Sequence, residues 1–170
     1  WTCGSNTYGQ LGYSGGSTTS FQQVDTTDMG FIISISTSYE STLVLNDEGE
    51  VWVVGKNLNG ELGTGDKSAV RNSDSSIAST FQQLDVSDLP RFKKAYSNAR
   101  YSMLLSEDDE LYCSGNNSTG EFGDGTTTDS YVFKKILDDV AEVYSNSLAS
   151  TNIIKKNDNS LWVSSDGWYS

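Results

Sequence analysis

Leu43-Val-Leu-Asn-Asp-Glu-Gly49-Glu-Val-Trp52-Val-Val-Gly55-Lys-Asn57-Leu-Asn-Gly60-Glu-Leu-Gly63 contains two apolar runs, the turn between them and a glycine-framed tail. The tail recurs. Trp1-Thr-Cys-Gly4-Ser-Asn6-Thr-Tyr8-Gly9-Gln10-Leu-Gly12 precedes it, and Tyr112-Cys-Ser-Gly115-Asn-Asn117-Ser-Thr-Gly120-Glu121-Phe-Gly123 follows. A fourth copy opens at Leu161-Trp162-Val-Ser and then departs from the pattern. The aromatics are spaced by 51, 60 and 50 residues, a period that belongs to solenoids and propellers.

Within each period the same signals recur in order. An apolar run (Thr42–Leu45, Ser102–Leu105, Asn152–Lys155) is followed by a polar turn and then by the aromatic run. Two β-rich runs about a Gly, Asp or Asn turn read as a β-hairpin. Gly49 and Asn159 suit the positive φ such a turn needs, and Asp109 suits it less. A Phe-polar-polar-apolar motif follows the glycine-framed tail: Phe21–Val24, Phe81–Leu84 and Phe133–Ile136. Its spacing fits a short strand or turn anchored in the core at both ends. The second copy carries about nine extra residues around Lys67 to Ser79, which marks a surface loop. No segment has the period of an ordinary amphipathic helix. Short strands, Gly punctuation and absent helices are the features of propeller blades. The expected fold is therefore all-β, a β-propeller segment of about three blades. Its repeat units run approximately over 1–51, 52–111 and 112–161, with 162–170 opening a fourth.

The pattern over Leu43 to Gly63 resembles the repeat of the regulator-of-chromosome-condensation family, and the likeness extends over nearly the whole chain. That resemblance implies a propeller commonly of about seven four-stranded blades. It assigns the glycines to tight turns and Gln10, Glu61 and Glu121 to hydrogen bonds between blades. Family repeats usually place His before the apolar run; here the positions are Ser41, Tyr101 and Thr151, and the chain has no His. The family brings three precedents: nucleotide exchange on a small GTPase, inhibition of a secreted enzyme, and scaffolding.

Composition narrows the chemistry. The net charge of −12 opposes contact with nucleic acid or anionic membrane. Arg91 with Lys93-Lys94, and Lys155-Lys156, are the basic clusters and read as solvated strand ends. No stretch approaches the ~18 consecutive apolar residues of a membrane-spanning helix. Without His, a Ser-His-Asp or Cys-His centre is impossible. Cys3 and Cys113 fall one position out of phase in the repeat, on opposite strand faces, which argues against a bridge and against a thiolate metal site. Paired carboxylates at Glu107–Glu110 and Asp138-Asp139, and the Asp-rich turns Gly123–Asp129 and Asn157–Asn159, read as turn chemistry before catalysis or calcium binding. The expectation is no catalytic residue, no metal and no cofactor.

What remains is protein binding or a structural role. Tyr8, Tyr13, Trp168 and Tyr169 lie in or near blade-end loops and are the candidate interface anchors. Asn116 and Asn117 open overlapping glycosylation sequons if the protein is secreted, and the acidic, Ser/Thr/Asn-rich composition leans that way. The chain reads as a non-enzymatic interaction module, with exchange factor or extracellular adhesive component as alternatives. Three blades leave two sheet faces bare, so further blades or another chain should cover them.

Overall fold

The computed structural model describes residues 1–67, 80–146 and 149–165. Thirteen strands form four antiparallel sheets, with no helix among the described residues. The first sheet pairs β1 (Thr2–Gly4) with β2 (Thr18–Gln22). The second runs in chain order through β3 (Ile32–Thr37), β4 (Ser41–Asn46), β5 (Val51–Gly55) and β6 (Gln82–Leu84). The third repeats it with β7 (Phe92–Ser97), β8 (Tyr101–Ser106), β9 (Leu111–Gly115) and β10 (Ser130–Leu137). The fourth has β11 (Val140–Asn146), β12 (Ala149–Lys156) and β13 (Leu161–Ser164). This is a partial β-propeller.

Each aromatic-to-aromatic period therefore begins on the third strand of one sheet and ends on the second strand of the next. The hairpin turns form where the sequence placed them, with positive φ at Gly49 (85°), Asp109 (62°) and Asn159 (67°). The loop around Lys67 to Ser79 lies almost wholly outside the described residues.

The central strands are apolar on both sides because a sheet packs against each face. Strand alternation divides their side chains between two cores. Leu43, Leu45, Val51 and Val53 meet Phe92, Ala95, Leu104 and Phe133 of the next sheet. Met103, Leu105, Leu111 and Cys113 point the other way, toward Val140, Val143 and Ile154. Phe92 and Tyr112 meet edge to face, with ring centroids 5.5 Å apart.

Polar contacts also join the sheets. On the free edge of β7, the Ala95 and Ser97 amides donate to the Ser34 and Ser36 hydroxyls at 3.2 and 2.7 Å. These hydroxyls satisfy backbone donors that an exposed strand edge leaves open. Thr42 Oγ1 donates to the Gln10 carbonyl at 2.7 Å, and Ser114 Oγ to the Gly60 carbonyl at 2.8 Å.

The glycine-framed tail is a loop organised by its Asn. Asn6, Asn57 and Asn117 accept the amides of Leu11, Leu62 and Phe122 through Oδ1 at 2.8–2.9 Å. Their Nδ2 groups donate into the far side of the same loop, to Gly15, Asp66 and Thr126 carbonyls. Among the described residues, the Gln10, Glu61 and Glu121 side chains bond within their own loops and not between blades. Each folds back to accept the amide two residues before it, of Tyr8, Asn59 or Thr119. These acceptors close the loop locally; the bonds between blades come from hydroxyls, backbone amides and carbonyls. Burial pushes the Glu61 carboxyl up, while the loop amides and Lys56 oppose that rise.

Candidate interaction faces

Equivalent positions in the repeat have different surroundings at the two ends of the chain. Leu111 and Cys113 are fully buried, as are Val51 and Val53, whereas their counterparts Leu161 and Val163 on β13 are each 68% exposed. Leu43 and Met103 are buried, and their counterpart Ile153 is exposed. With Tyr144, these residues form one open apolar face on the last sheet.

The other open face belongs to the first two sheets. Phe133 is 5% exposed beside Gly63, and Phe81 lies against Gly12, but Phe21 is 67% exposed. The motif thus anchors in the core in its second and third copies but not in its first. Anchoring depends on a glycine of the preceding blade, which Phe21 lacks. Trp1 and Ile35 are likewise exposed where Tyr112 and Ala95 are buried. Between the two-stranded sheet and β3–β4 lies a cavity of about 450 Å³, lined by Trp1, Leu11, Val24, Met29, Ile35 and Phe81.

Tyr8 and Tyr13 share the loop between β1 and β2, and both are half-buried. Tyr8 lies under the Lys56 ammonium, 5.3 Å from ring centroid to Nζ, and Lys56 also pairs with Glu40. Tyr8 therefore packs against the next blade. Tyr13 turns onto its own loop, with its hydroxyl on the Gly16 carbonyl. Trp168 and Tyr169 lie outside the described residues. Asn117 is fully buried, with Nδ2 donating to Thr126 and Thr128 carbonyls at 3.1 and 3.3 Å. A glycan on that nitrogen requires the loop to open. Asn116 is half-buried, its Nδ2 3.4 Å from Asp129 Oδ1.

Several carboxylates of the candidate catalytic and calcium clusters face basic side chains instead, with Lys135 bridging Glu110 and Asp138. Glu107 faces Arg91, Asp109 pairs with Lys93, and Glu110 pairs with Lys135 at 2.9 Å. Asp124 is opposed by burial, yet the Lys134 ammonium at 2.6 Å and the Thr126 hydroxyl and amide outweigh that and hold it down to about 2. No group of three or more acidic or Cys side chains converges on one point among the described residues. Both cysteines are free, Cys3 exposed and Cys113 buried.

The exposed positions on β13 could have been found from the repeat alignment, by asking which copies lack a neighbour. An inventory of loop aromatics does not ask that question.

No protein-family model matches the chain, and no curated protein matches it by sequence. Solved structures do match. Human WBSCR16 is similar over 95% of this chain and 41% of its own, at TM-score 0.69 and 19% identity. Prp20p from Saccharomyces cerevisiae, described with its binding to Gsp1p and histones, is similar over 78% and 33%, at 0.62 and 19%. A chain from the complex of Kap60 with yeast RCC1 (Prp20) is similar over 85% and 30%, at 0.57 and 18%. The fold is thus that of an RCC1-type β-propeller, and the chain spans well under half the length of each of these structures.

Proposed function

We propose that this chain is a non-catalytic interaction module, a propeller segment whose two end faces dock against further blades or another protein. One observation carries the reading: positions fully buried in two sheets are 68% exposed on β13. Continuous apolar faces of this kind mark interaction sites. The likeness to Prp20p, described as binding Gsp1p and histones, supports protein partners.

The test is an apolar dye. Dilute chain should bind it, and Leu161→Asp with Val163→Asp should cut the fluorescence about twofold while unfolding stays cooperative. Absent dye binding from a fixed monomer would sink the reading. Nucleotide exchange is the second reading, favoured by the same likeness to Prp20p. Labelled nucleotide should then leave a small GTPase faster when the chain is added, and unchanged release at micromolar chain removes it.

A further inference from the structure

Within that interaction reading, we propose a docking site away from the two end faces. A cavity beside the second sheet receives a lysine side chain from a basic segment of a protein partner.

The cavity, about 500 Å³, lies between the turn joining β4 to β5 and the chain leading from β6 to β7. Its floor is apolar. Leu84 is buried there, and Val86 and Leu89 pack against the core beneath. Its rim is charged, with the carboxylates of Glu48, Glu50 and Asp85 against the guanidinium of Arg91. Three carboxylates less one guanidinium leave two negative charges in excess. Arg91 is already engaged, on the Asp47 carbonyl and 3.8 Å from Glu107. An apolar floor under an acidic rim suits a side chain with a long carbon stem and a cationic tip.

The next repeat shows such a rim holding an ammonium. Gln83 of β6 pairs with Trp52, as Lys135 of β10 pairs with Tyr112. Glu50 and Glu110 each stand one residue before the partner strand, and Asp85 and Asp138 each follow β6 and β10 directly. In the third sheet, Lys135 Nζ binds Glu110 Oε1 at 2.9 Å and Asp138 Oδ1 at 3.1 Å.

The second sheet has neutral donors at the same place. Gln83 Nε2 donates to Glu50 Oε1 and Asn46 Nδ2 to Glu50 Oε2, both at 2.7 Å. Asp85 accepts the Ser87 amide and hydroxyl. These donors supply hydrogen bonds and leave the charge uncancelled. A carboxylate offers about four lone-pair sites, so Glu50 still has room for an ammonium. An outside lysine in the cavity would meet Glu50 and Asp85 as Lys135 meets Glu110 and Asp138. The chain's charge of −12 draws basic segments toward it, and the apolar floor favours a carbon stem over a bare cation.

The experiment follows the amide resonances of the full ¹⁵N-labelled chain as a capped Ala-Ala-Lys-Ala-Ala peptide is added. Shifts should concentrate on residues 48–50 and 83–91, and the same peptide with norleucine for lysine should cause none. Glu50→Gln should weaken binding about tenfold, as the loss of one charge-assisted hydrogen bond does. Gln83→Lys should weaken it at least as much, by placing an ammonium of the chain's own in the site. Asp28→Asn makes the same change in net charge on the exposed turn before β3, and should weaken binding about twofold or less. Gln83 is exposed, so Gln83→Lys decides alone if Glu50→Gln fails to fold. Shifts spread over the whole acidic surface overturn the site, as does equal binding of the norleucine peptide or binding indifferent to Gln83→Lys. A chain that binds the apolar dye but not the lysine peptide loses this site and keeps the interaction reading; one that binds neither loses both.

Discussion

Phe133 fills the space that a side chain on Gly63 would need: an added Cβ would lie 2.5 Å from the ring, at a φ of +73°. The contact crosses from one blade to the loop of the blade before it, so a backbone requirement and an interface requirement coincide at one residue.

Gly63→Ala should therefore cost more than either effect alone. Left-handed strain contributes about 1–2 kcal/mol and overpacking about 1–3 kcal/mol. Gly125 has a similar φ of +78° but open space around it, so Gly125→Ala should show only the strain. Denaturant midpoints of the two variants check this. Equal losses would show that the Phe133 ring yields freely.

Asn117→Asp should destabilise by about 2 kcal/mol or more, because a carboxylate cannot donate to the carbonyls now satisfied by Nδ2 and is itself buried. Asn116→Asp, half-buried beside Asp129, should cost well under half as much. Urea unfolding of both variants checks the contrast, and similar losses would remove Asn117 as the centre of its loop.

Acid should separate wild type from Asp124→Asn. Burial works against the Asp124 charge, but Lys134 and Thr126 hold its carboxyl at about 2, against an ordinary 3.8. A lowered folded value gives stability that is complete above the unfolded value and lost as pH falls through the folded one. The wild type should lead by about 2 kcal/mol at neutral pH, and the lead should vanish between about pH 4 and pH 2. Thermal midpoints across that range measure it. A lead that persists at pH 2 would place the effect elsewhere.

Thiol labelling should be one-sided. Burial pushes the Cys113 thiol well above its ordinary value, and no part of it meets solvent. Cys3 is exposed. Dilute native chain should take up one equivalent of a thiol reagent near pH 8, and denatured chain two. Rapid uptake of two by the native chain would mean that the third sheet opens.

The hairpins and the repeat were legible because they are local. A turn needs positive φ at one residue, and Gly49 and Asn159 announce it from their own chemistry, Asp109 more weakly although it adopts the same conformation. Local chemistry failed where two partners were equally in reach. Glu61 is long enough to cross to another blade or to fold back on Asn59, and only the loop's shape decides for Asn59. The exposed face was hidden for the opposite reason. Phe21 and Phe133 begin the same motif, but only one has a glycine beneath it, and that glycine lies in another repeat.

Among the described residues, the Asn117 side chain bonds within its own loop, to Phe122, Asp124, Thr126 and Thr128. A gene that duplicates or deletes one repeat therefore orphans no polar hub. The cost falls only on the two new junctions, as in any array held by nearest neighbours. Ring size in such a lineage can drift by whole units, while each unit keeps its own grammar.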